Sequence, residues 1–232
     1  MRQQYYAFYP FSVSDEHAKQ DPVLYDILKK KSENRPRVLR MIDQIISNKN
    51  AVFTASNDQK QICFIGHSQL DQWSIDEIGG YHVRNCGVSG ISSYEYDEKI
   101  LQTELLRCED DAFLVMHGTN DIVWDDTIAE IIDSIQASIR YIRLRNESAP
   151  ILFLACMHVN GRIDRSNTRI DVLNAALQKR LADSVVWIDT SFMDDENGNL
   201  RQQYTTDGLH LTNTGYQILQ AEIEVKMRKL DL

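Results

Sequence analysis

Residues 112–121 have the sequence AFLVMHGTND, in which a nearly continuous apolar run leads directly into a short polar turn. An apolar run of this length is typical of a strand that is buried on both faces, as in a parallel sheet. Two further runs have the same character, Ile62–Gly66 (ICFIG) and Ile151–Cys156 (ILFLAC). These three runs predict the central strands of a parallel sheet.

Weaker strand candidates and amphipathic segments extend this pattern on both sides. His82–Cys86 (HVRNC) and Val185–Ile188 (VVWI) raise the number of strands to five, and Arg84 favours a position nearer an edge for the first of them. The predicted helices between and after the strands are Tyr94–Leu106, Thr127–Leu144, Arg169–Leu181 and Thr214–Leu230. Strands that alternate with helices predict an α/β fold of three layers (α/β/α), with a five-stranded parallel, flavodoxin-like sheet.

Residues 1–60 lie outside this alternation. Asp21–Lys31 and Pro36–Asn48 are predicted as two helices, because proline suits the first turn of a helix and Pro22 and Pro36 stand near the two starts. We therefore expect an N-terminal helical extension that packs on a main domain of residues 61–232. A role as a lid or as an oligomer contact stays open.

The composition limits the class of protein. The chain has 232 residues, of which 43% are hydrophobic, enough for one sizeable domain with its own core. Its 25 basic and 34 acidic residues give a net charge of −9, which disfavours nucleic acid as a partner. No stretch approaches the roughly 20 apolar residues of a membrane span. The first 17 residues lack the apolar core of a signal peptide, so a cytoplasmic location is expected.

Polar residues follow the predicted strands at their carboxyl ends, where α/β proteins form their sites. Ser68 follows the first strand and can expose its hydroxyl as a nucleophile, although a serine in such a turn commonly caps a helix. Asn120 follows the third strand and can direct its amide into the crevice, or cap the next helix. These positions make both residues candidates for one site.

Asp207 and His210 stand three positions apart, between the last predicted strand and the last helix. At this spacing the carboxylate can reach Nδ1 of the imidazole and leave Nε2 facing outward. This is the arrangement of a general base and the group that orients it. A surface pair without a catalytic role is the alternative.

Four short stretches together resemble the blocks of the SGNH hydrolases, also called GDSL-type esterases. They are GHS at 66–68, NCGVSG at 85–90, GTND at 118–121 and DGLHLT at 207–212. The resemblance runs from about residue 61 to the C-terminus. It departs from the family in the first block, where His67 stands in place of the usual aspartate.

The resemblance implies a role for each of these residues. Ser68 is the expected nucleophile, His210 the base and Asp207 its orienting carboxylate. The expected oxyanion hole consists of the backbone N–H groups of Ser68 and Gly90 and the side-chain amide of Asn120.

Five further residues are candidates for substrate binding. His67 and His117 lie beside the motifs, Gly87 shapes the second turn, and Arg162 and Arg165 follow the fourth strand. Solvated loop charges are the alternative explanation for the two arginines. No HxH, HExxH or CxxC spacing occurs, so neither a metal nor another cofactor is expected.

The resemblance implies a serine esterase that acts on short, acetyl-type acyl esters. Polar residues near the first two turns favour a carbohydrate or another small polar alcohol as the ester's other half; they are His67, Gln69, Gln72, Ser89 and Ser92. An O-acyltransferase with the same triad, a lipid esterase or a thioesterase are the alternatives, together with a non-catalytic flavodoxin-like binding protein. The expected partner is a small acyl ester, and a homo-oligomer stays open.

Overall fold

The computed structural model describes residues 20–56, 58–123 and 127–230. Its sheet has six strands in the order β2-β3-β1-β4-β5-β6. They are β1 (Gln61–Gly66), β2 (Glu77–Ile78), β3 (Tyr81–Asn85), β4 (Ala112–Met116), β5 (Ile151–Leu154) and β6 (Val186–Ile188). β3, β1, β4, β5 and β6 are parallel, which confirms the five predicted strands.

The sixth strand, β2, is missing from the sequence prediction. It has two residues and pairs antiparallel with β3 at the edge of the sheet. Two residues are too few for a recognisable hydrophobic pattern. The connection Gly79-Gly80 has positive φ at both positions, 57° and 82°, which suits a tight hairpin.

In the described ranges, seven α-helices accompany the sheet. They are α1 (Pro22–Asn48), α2 (Asn50–Thr54), α3 (Ser68–Asp71), α4 (Ser93–Tyr96), α5 (Ile128–Arg145), α6 (Asn167–Leu181) and α7 (Asn213–Lys229). The last three lie where the sequence predicts them. The segment predicted as a helix over Tyr94–Leu106 forms α4 and then a π-helical turn at Asp97–Leu101.

Apolar side chains cover both faces of the sheet, which produces the predicted three layers. In β1, Cys63 and Ile65 belong to the core beneath α5 and α6. Ile62 and Phe64 alternate with them and belong to the core on the opposite face, where Ile223 of α7 packs. The continuous apolar runs of the central strands result from this burial on both sides.

α1 is one continuous helix, so the prediction of two helices separated before Pro36 is wrong. Asp21 caps its start by accepting hydrogen bonds from Val23 and Leu24. An interior proline costs a helix about 3 kcal/mol. Here Ile42 is fully buried and other apolar residues of α1 pack against the core. Burial of one such side chain contributes about 1.5–3 kcal/mol, so several of them outweigh the proline.

Arg84 of β3 anchors the N-terminal helices to the sheet. Its guanidinium donates to the carbonyl groups of Val52 and Phe53, each at 3.0 Å, and forms a buried ion pair with Asp110. The described part of the N-terminal extension therefore packs on the α/β body. Residues 1–19 of the expected extension, which include the segment tested for a signal peptide, lie outside the described residues. No helix in the described ranges is long and apolar enough to cross a membrane.

Candidate active site

Ser68 lies at the carboxyl end of β1, as the first residue of α3. β1 and β4 approach so closely there that a Cβ on Gly66 would lie 2.3 Å from the carbonyl oxygen of Met116. Glycine is therefore required at the end of the strand. His67 caps α3, with Nδ1 placed 3.5 Å from the backbone nitrogen of Gln69.

His210 lies between Ser68 and Asp207 and is within hydrogen-bonding distance of both. Its Nε2 is 3.0 Å from Ser68 Oγ, and its Nδ1 is 2.9 Å from Asp207 Oδ2. The other carboxylate oxygen of Asp207 accepts hydrogen bonds from the backbone N–H groups of Leu209 (3.0 Å) and His210 (2.8 Å). The residues expected to act as nucleophile, base and orienting carboxylate are thus brought into one hydrogen-bonded chain.

The loop that carries Asp207 and His210 rests on the loop after β5. Gly208 has φ +84°, and a Cβ at this position would lie 2.0 Å from the carbonyl oxygen of Asn160. The backbone N–H of Asn160 donates in turn to the carbonyl of Gly208 at 2.8 Å. Only glycine fits this contact.

Asp207 is ionised at neutral pH. Its partial burial works to raise the pKa of the carboxyl group, but hydrogen bonds from His210 and Leu209 outweigh that effect and lower the pKa to about 2. An ionised carboxylate at Nδ1 favours the imidazole tautomer that carries its proton there. Nε2 is then the acceptor that faces Ser68.

Asn120 is 9% exposed and lies beside the loop after β3. Its Nδ2 donates to the carbonyl of Ile91 at 2.9 Å, and its Oδ1 accepts from Nη2 of Arg165 at 3.0 Å. Gly90, which precedes Ile91, has φ +82°. Within the described part of the chain, the backbone N–H groups of Ser68 and Gly90 have no protein acceptor. These donors can therefore serve an oxygen that becomes negatively charged.

Two carboxylates, one buried and one partly buried, connect the turns around the site, and sequence reasoning did not assign them this role. Asp71 of α3 accepts from the backbone N–H of Ser89 at 2.9 Å and pairs with Lys49. Asp121 accepts from the backbone N–H groups of Ser93 (2.9 Å) and Gly118 (3.2 Å). The only sequence signal was the position of each aspartate, within three residues of Ser68 or Asn120.

The structure encloses most of the residues predicted to bind substrate. His67 and His117 are buried, and burial lowers the pKa of His67 well below its usual value and that of His117 to about 3. Both imidazoles are therefore neutral at pH 7. A Cβ on Gly87 would lie 2.6 Å from the backbone nitrogen of Asp71, so Gly87 permits close packing against α3.

Arg162 and Arg165 differ in how far their side chains are exposed to solvent. Arg165 is only 6% exposed and donates to protein acceptors, which departs from the expected substrate contact. The side chain of Arg162 is 29% exposed, and its Nη1 is 3.6 Å from Asp207 Oδ2. Of the five predicted substrate-binding residues, Arg162 alone presents a charged side chain to solvent near Asp207. No group of three or more metal-ligating side chains converges in the described ranges.

Comparisons with known proteins found similarities in sequence and in fold. Residues 66–218 match the model of the GDSL-like lipase/acylhydrolase family. An N-acylneuraminate cytidylyltransferase of Escherichia coli O18:K1:H7 is 35% identical over 199 residues, which are 85% of this chain and 46% of that protein. The chain thus spans about half the length of this curated relative.

Solved structures share the fold. One from Streptococcus pneumoniae, provisionally described as a platelet activating factor, has a TM-score of 0.75 and 26% identity, covering 87% of this chain and 99% of that one. A GDSL-like lipase from Bacteroides thetaiotaomicron has a TM-score of 0.63 and 20% identity, covering 81% and 97% of the two chains.

Proposed function

The chain belongs to the GDSL-like lipase/acylhydrolase family, and we propose that it is an ester-bond hydrolase that removes short, acetyl-sized acyl groups from a carbohydrate or another small polar alcohol. The observation that carries this proposal is the hydrogen-bonded chain from Ser68 through His210 to Asp207. These contacts bring a nucleophile, a general base and a carboxylate that orients the base into one hydrogen-bonded arrangement.

Acylation begins when Ser68 Oγ attacks the ester carbonyl carbon. His210 Nε2 takes the hydroxyl proton as the Oγ–C bond forms, and the electron pair of the carbonyl moves onto its oxygen. Asp207 stabilises the imidazolium that results. The tetrahedral intermediate then collapses, the bond to the alcohol oxygen breaks, and His210 returns its proton to that oxygen.

Deacylation repeats these steps with water. His210 Nε2 takes a proton from the attacking water, and the second tetrahedral intermediate collapses to release the carboxylic acid. The proton returns to Ser68 Oγ, which restores the enzyme. An O-acyltransferase differs only at this stage, because an acceptor alcohol replaces the water.

In both steps the negative oxygen needs hydrogen-bond donors. We assign this role to the backbone N–H groups of Ser68 and Gly90 and to the Nδ2 group of Asn120. Loss of one such donor typically lowers turnover by about 10²–10³.

The curated relative supports a sugar as the alcohol. That protein is named for an N-acylneuraminate, a sugar acid, and this chain matches 46% of its length. Arg162 offers a partly exposed positive charge beside the triad that suits an anionic sugar. An O-acetylated N-acylneuraminate therefore belongs among the substrates to be tested.

The test compares hydrolysis of p-nitrophenyl esters of increasing chain length with release of acetate from O-acetylated neutral and acidic sugars. Ser68→Ala is expected to abolish turnover, and an organophosphonate is expected to label wild type at Ser68. Ser74→Ala, at an exposed serine that follows α3, is the matched control and should behave as wild type. Retention of more than a few per cent of turnover by Ser68→Ala would refute the assignment. Acyl transfer to an added alcohol in preference to water would favour the transferase.

A further inference from the structure

The buried guanidinium of Arg165 donates hydrogen bonds to three acceptors. Nε donates to the carbonyl of Thr119 at 3.1 Å, Nη2 to Asn120 Oδ1 at 3.0 Å, and Nη1 to Asp164 Oδ2 at 2.6 Å. Two of these acceptors belong to the turn that follows β4. The guanidinium therefore determines how that turn presents its amide.

The contact with Arg165 determines the orientation of the Asn120 side-chain amide. A guanidinium has only donors, so the atom that faces it must be the carbonyl oxygen Oδ1. Nδ2 then lies on the other side, where one N–H meets the carbonyl of Ile91 and the second is available to a substrate oxygen. The positive charge on Arg165 also polarises the amide, which strengthens Nδ2 as a donor.

α1 supports Arg165 through a second charge. Lys31 forms an ion pair with Asp164, whose carboxylate also binds Arg165 and Arg162. Burial works to raise the pKa of Asp164, but these cations outweigh it and lower the pKa to about 2. The carboxylate is thus ionised and bridges Lys31 to Arg165.

The same helix contacts the other expected donor of the oxyanion hole. A Cβ on Gly90 would lie 3.1 Å from Met41 Cε and 3.3 Å from Val38 Cγ1, so the glycine packs directly on α1. Residues 22–48 lie outside the segment that matches the family, which begins at residue 66. They nevertheless pack on Gly90 directly and connect to Asn120 through Asp164 and Arg165.

The geometry points to Arg165 as a positioning residue that holds the Asn120 amide ready for the oxyanion, and to α1 as the element that fixes Arg165 through Lys31 and Asp164. This inference rests on the proposed function, because it presumes that Asn120 serves the oxyanion. According to this inference, α1 contributes to turnover in addition to packing against the hydrophobic core.

A double-mutant cycle tests this coupling. We compare kcat and KM of wild type, Arg165→Gln, Asn120→Ala and the double variant on p-nitrophenyl acetate, with thermal unfolding of each. Arg165→Gln should lower kcat about 10- to 100-fold with KM within about twofold, since the effect acts on the transition state. In the Asn120→Ala background the same substitution should change kcat less than about twofold.

Lys31→Met tests the part of α1. It should lower kcat by about three- to tenfold and lose this effect when Asn120 is alanine. Lys30→Met is the matched control, because Lys30 is 70% exposed and pairs only with Asp26 among the described contacts. It should leave kcat unchanged. If Arg165→Gln fails to fold, the cycle of Lys31→Met with Asn120→Ala decides.

Independent, multiplicative effects in the double variants would overturn the inference, as would a rise in KM at unchanged kcat. These results differ from a failure of the proposed function. In that case wild type and Ser68→Ala would show the same absence of ester hydrolysis, and no cycle would be measurable.

Discussion

Nε2 of His210 lies 3.0 Å from Oγ of Ser68, although 142 positions separate the two residues in the chain. The neighbouring residues maintain this distance. Nε2 of Gln69 donates to the carbonyl of Leu209 at 2.8 Å. This hydrogen bond joins the residue that follows Ser68 to the residue that precedes His210. The hydroxyl of Tyr216 donates to the carbonyl of Gln69 at 2.8 Å. A pair fixed in this way needs little rearrangement before proton transfer.

Asp207→Asn is expected to lower kcat/KM by about 10³–10⁴. The carboxylate accepts from two backbone N–H groups and from His210 Nδ1. An asparagine can keep the backbone contacts through its oxygen, but its NH₂ group then faces Nδ1 and favours the wrong imidazole tautomer. Steady-state kinetics on a neutral ester provide the measurement. Near-full activity of the variant would mean that Ser68 and His210 act as a dyad.

Asn120→Ala is expected to lower kcat by about 10²-fold with a much smaller change in KM. The amide bonds most strongly to the oxygen when that atom becomes negative in the transition state. The parameters are measured with one ester over a range of concentrations. A rise in KM at constant kcat would instead make Asn120 a ground-state substrate contact.

Gly208→Ala is expected to reduce both activity and stability. The residue has φ +84°, and its new Cβ would lie 2.0 Å from the carbonyl oxygen of Asn160. Gly198→Ala is the matched control, since Gly198 has φ +73° but no atom within 4 Å of an added Cβ. Both variants carry the backbone strain, and only Gly208→Ala adds the clash. Equal unfolding temperatures and equal turnover for the two would contradict this account of the loop.

Acid is expected to destabilise the protein through its buried histidines. The pKa of His117 is about 3 in the folded protein, whereas an unfolded histidine titrates near 6.5. The unfolded chain therefore takes up a proton as the pH falls below about 6.5, while the folded ring stays neutral. The contribution of the neutral ring is present above that pH and is lost as the pH falls towards 3. His117→Gln should flatten the decrease in unfolding temperature between pH 6.5 and pH 4.

His158 serves as a control, because its contribution to stability is expected to depend on pH in the opposite direction. Its Nδ1 lies 2.8 Å from Asp194 and its Nε2 2.9 Å from Asp171, and these carboxylates raise its pKa. Its contribution to stability is present below the unfolded value and is lost as the pH rises through the folded one. His158→Gln should therefore lose more stability at pH 5 than at pH 8. The same slope of unfolding temperature against pH in wild type and in both variants would rule out both assignments.

Local patterns in the chain predicted much of the fold, and the family resemblance supplied the members of the expected triad. The runs at residues 62–66, 112–117 and 151–156 are apolar because the central strands are buried on both faces, so their sequence alone identified them. Motif order placed Ser68, Asn120, Asp207 and His210 at one edge of the sheet, and the structure brings Ser68, Asp207 and His210 into contact.

Other features depend on contacts between distant segments and leave no local pattern. The sequence predicts a break before Pro36, yet packing of residues such as Ile42 continues the helix through it.

Contacts between chain neighbours and contacts between distant segments contribute to this structure in different ways. Hydrophobic periodicity and turn chemistry act between neighbours, so most strands and helices, and the polar residues at their ends, could be predicted from the sequence alone. Ion pairs such as Lys31 with Asp164 join segments far apart in the chain, so they form only when the folded chain brings those segments together. The same holds for Arg165, whose charge suggested a substrate contact until its burial against Asn120 was seen.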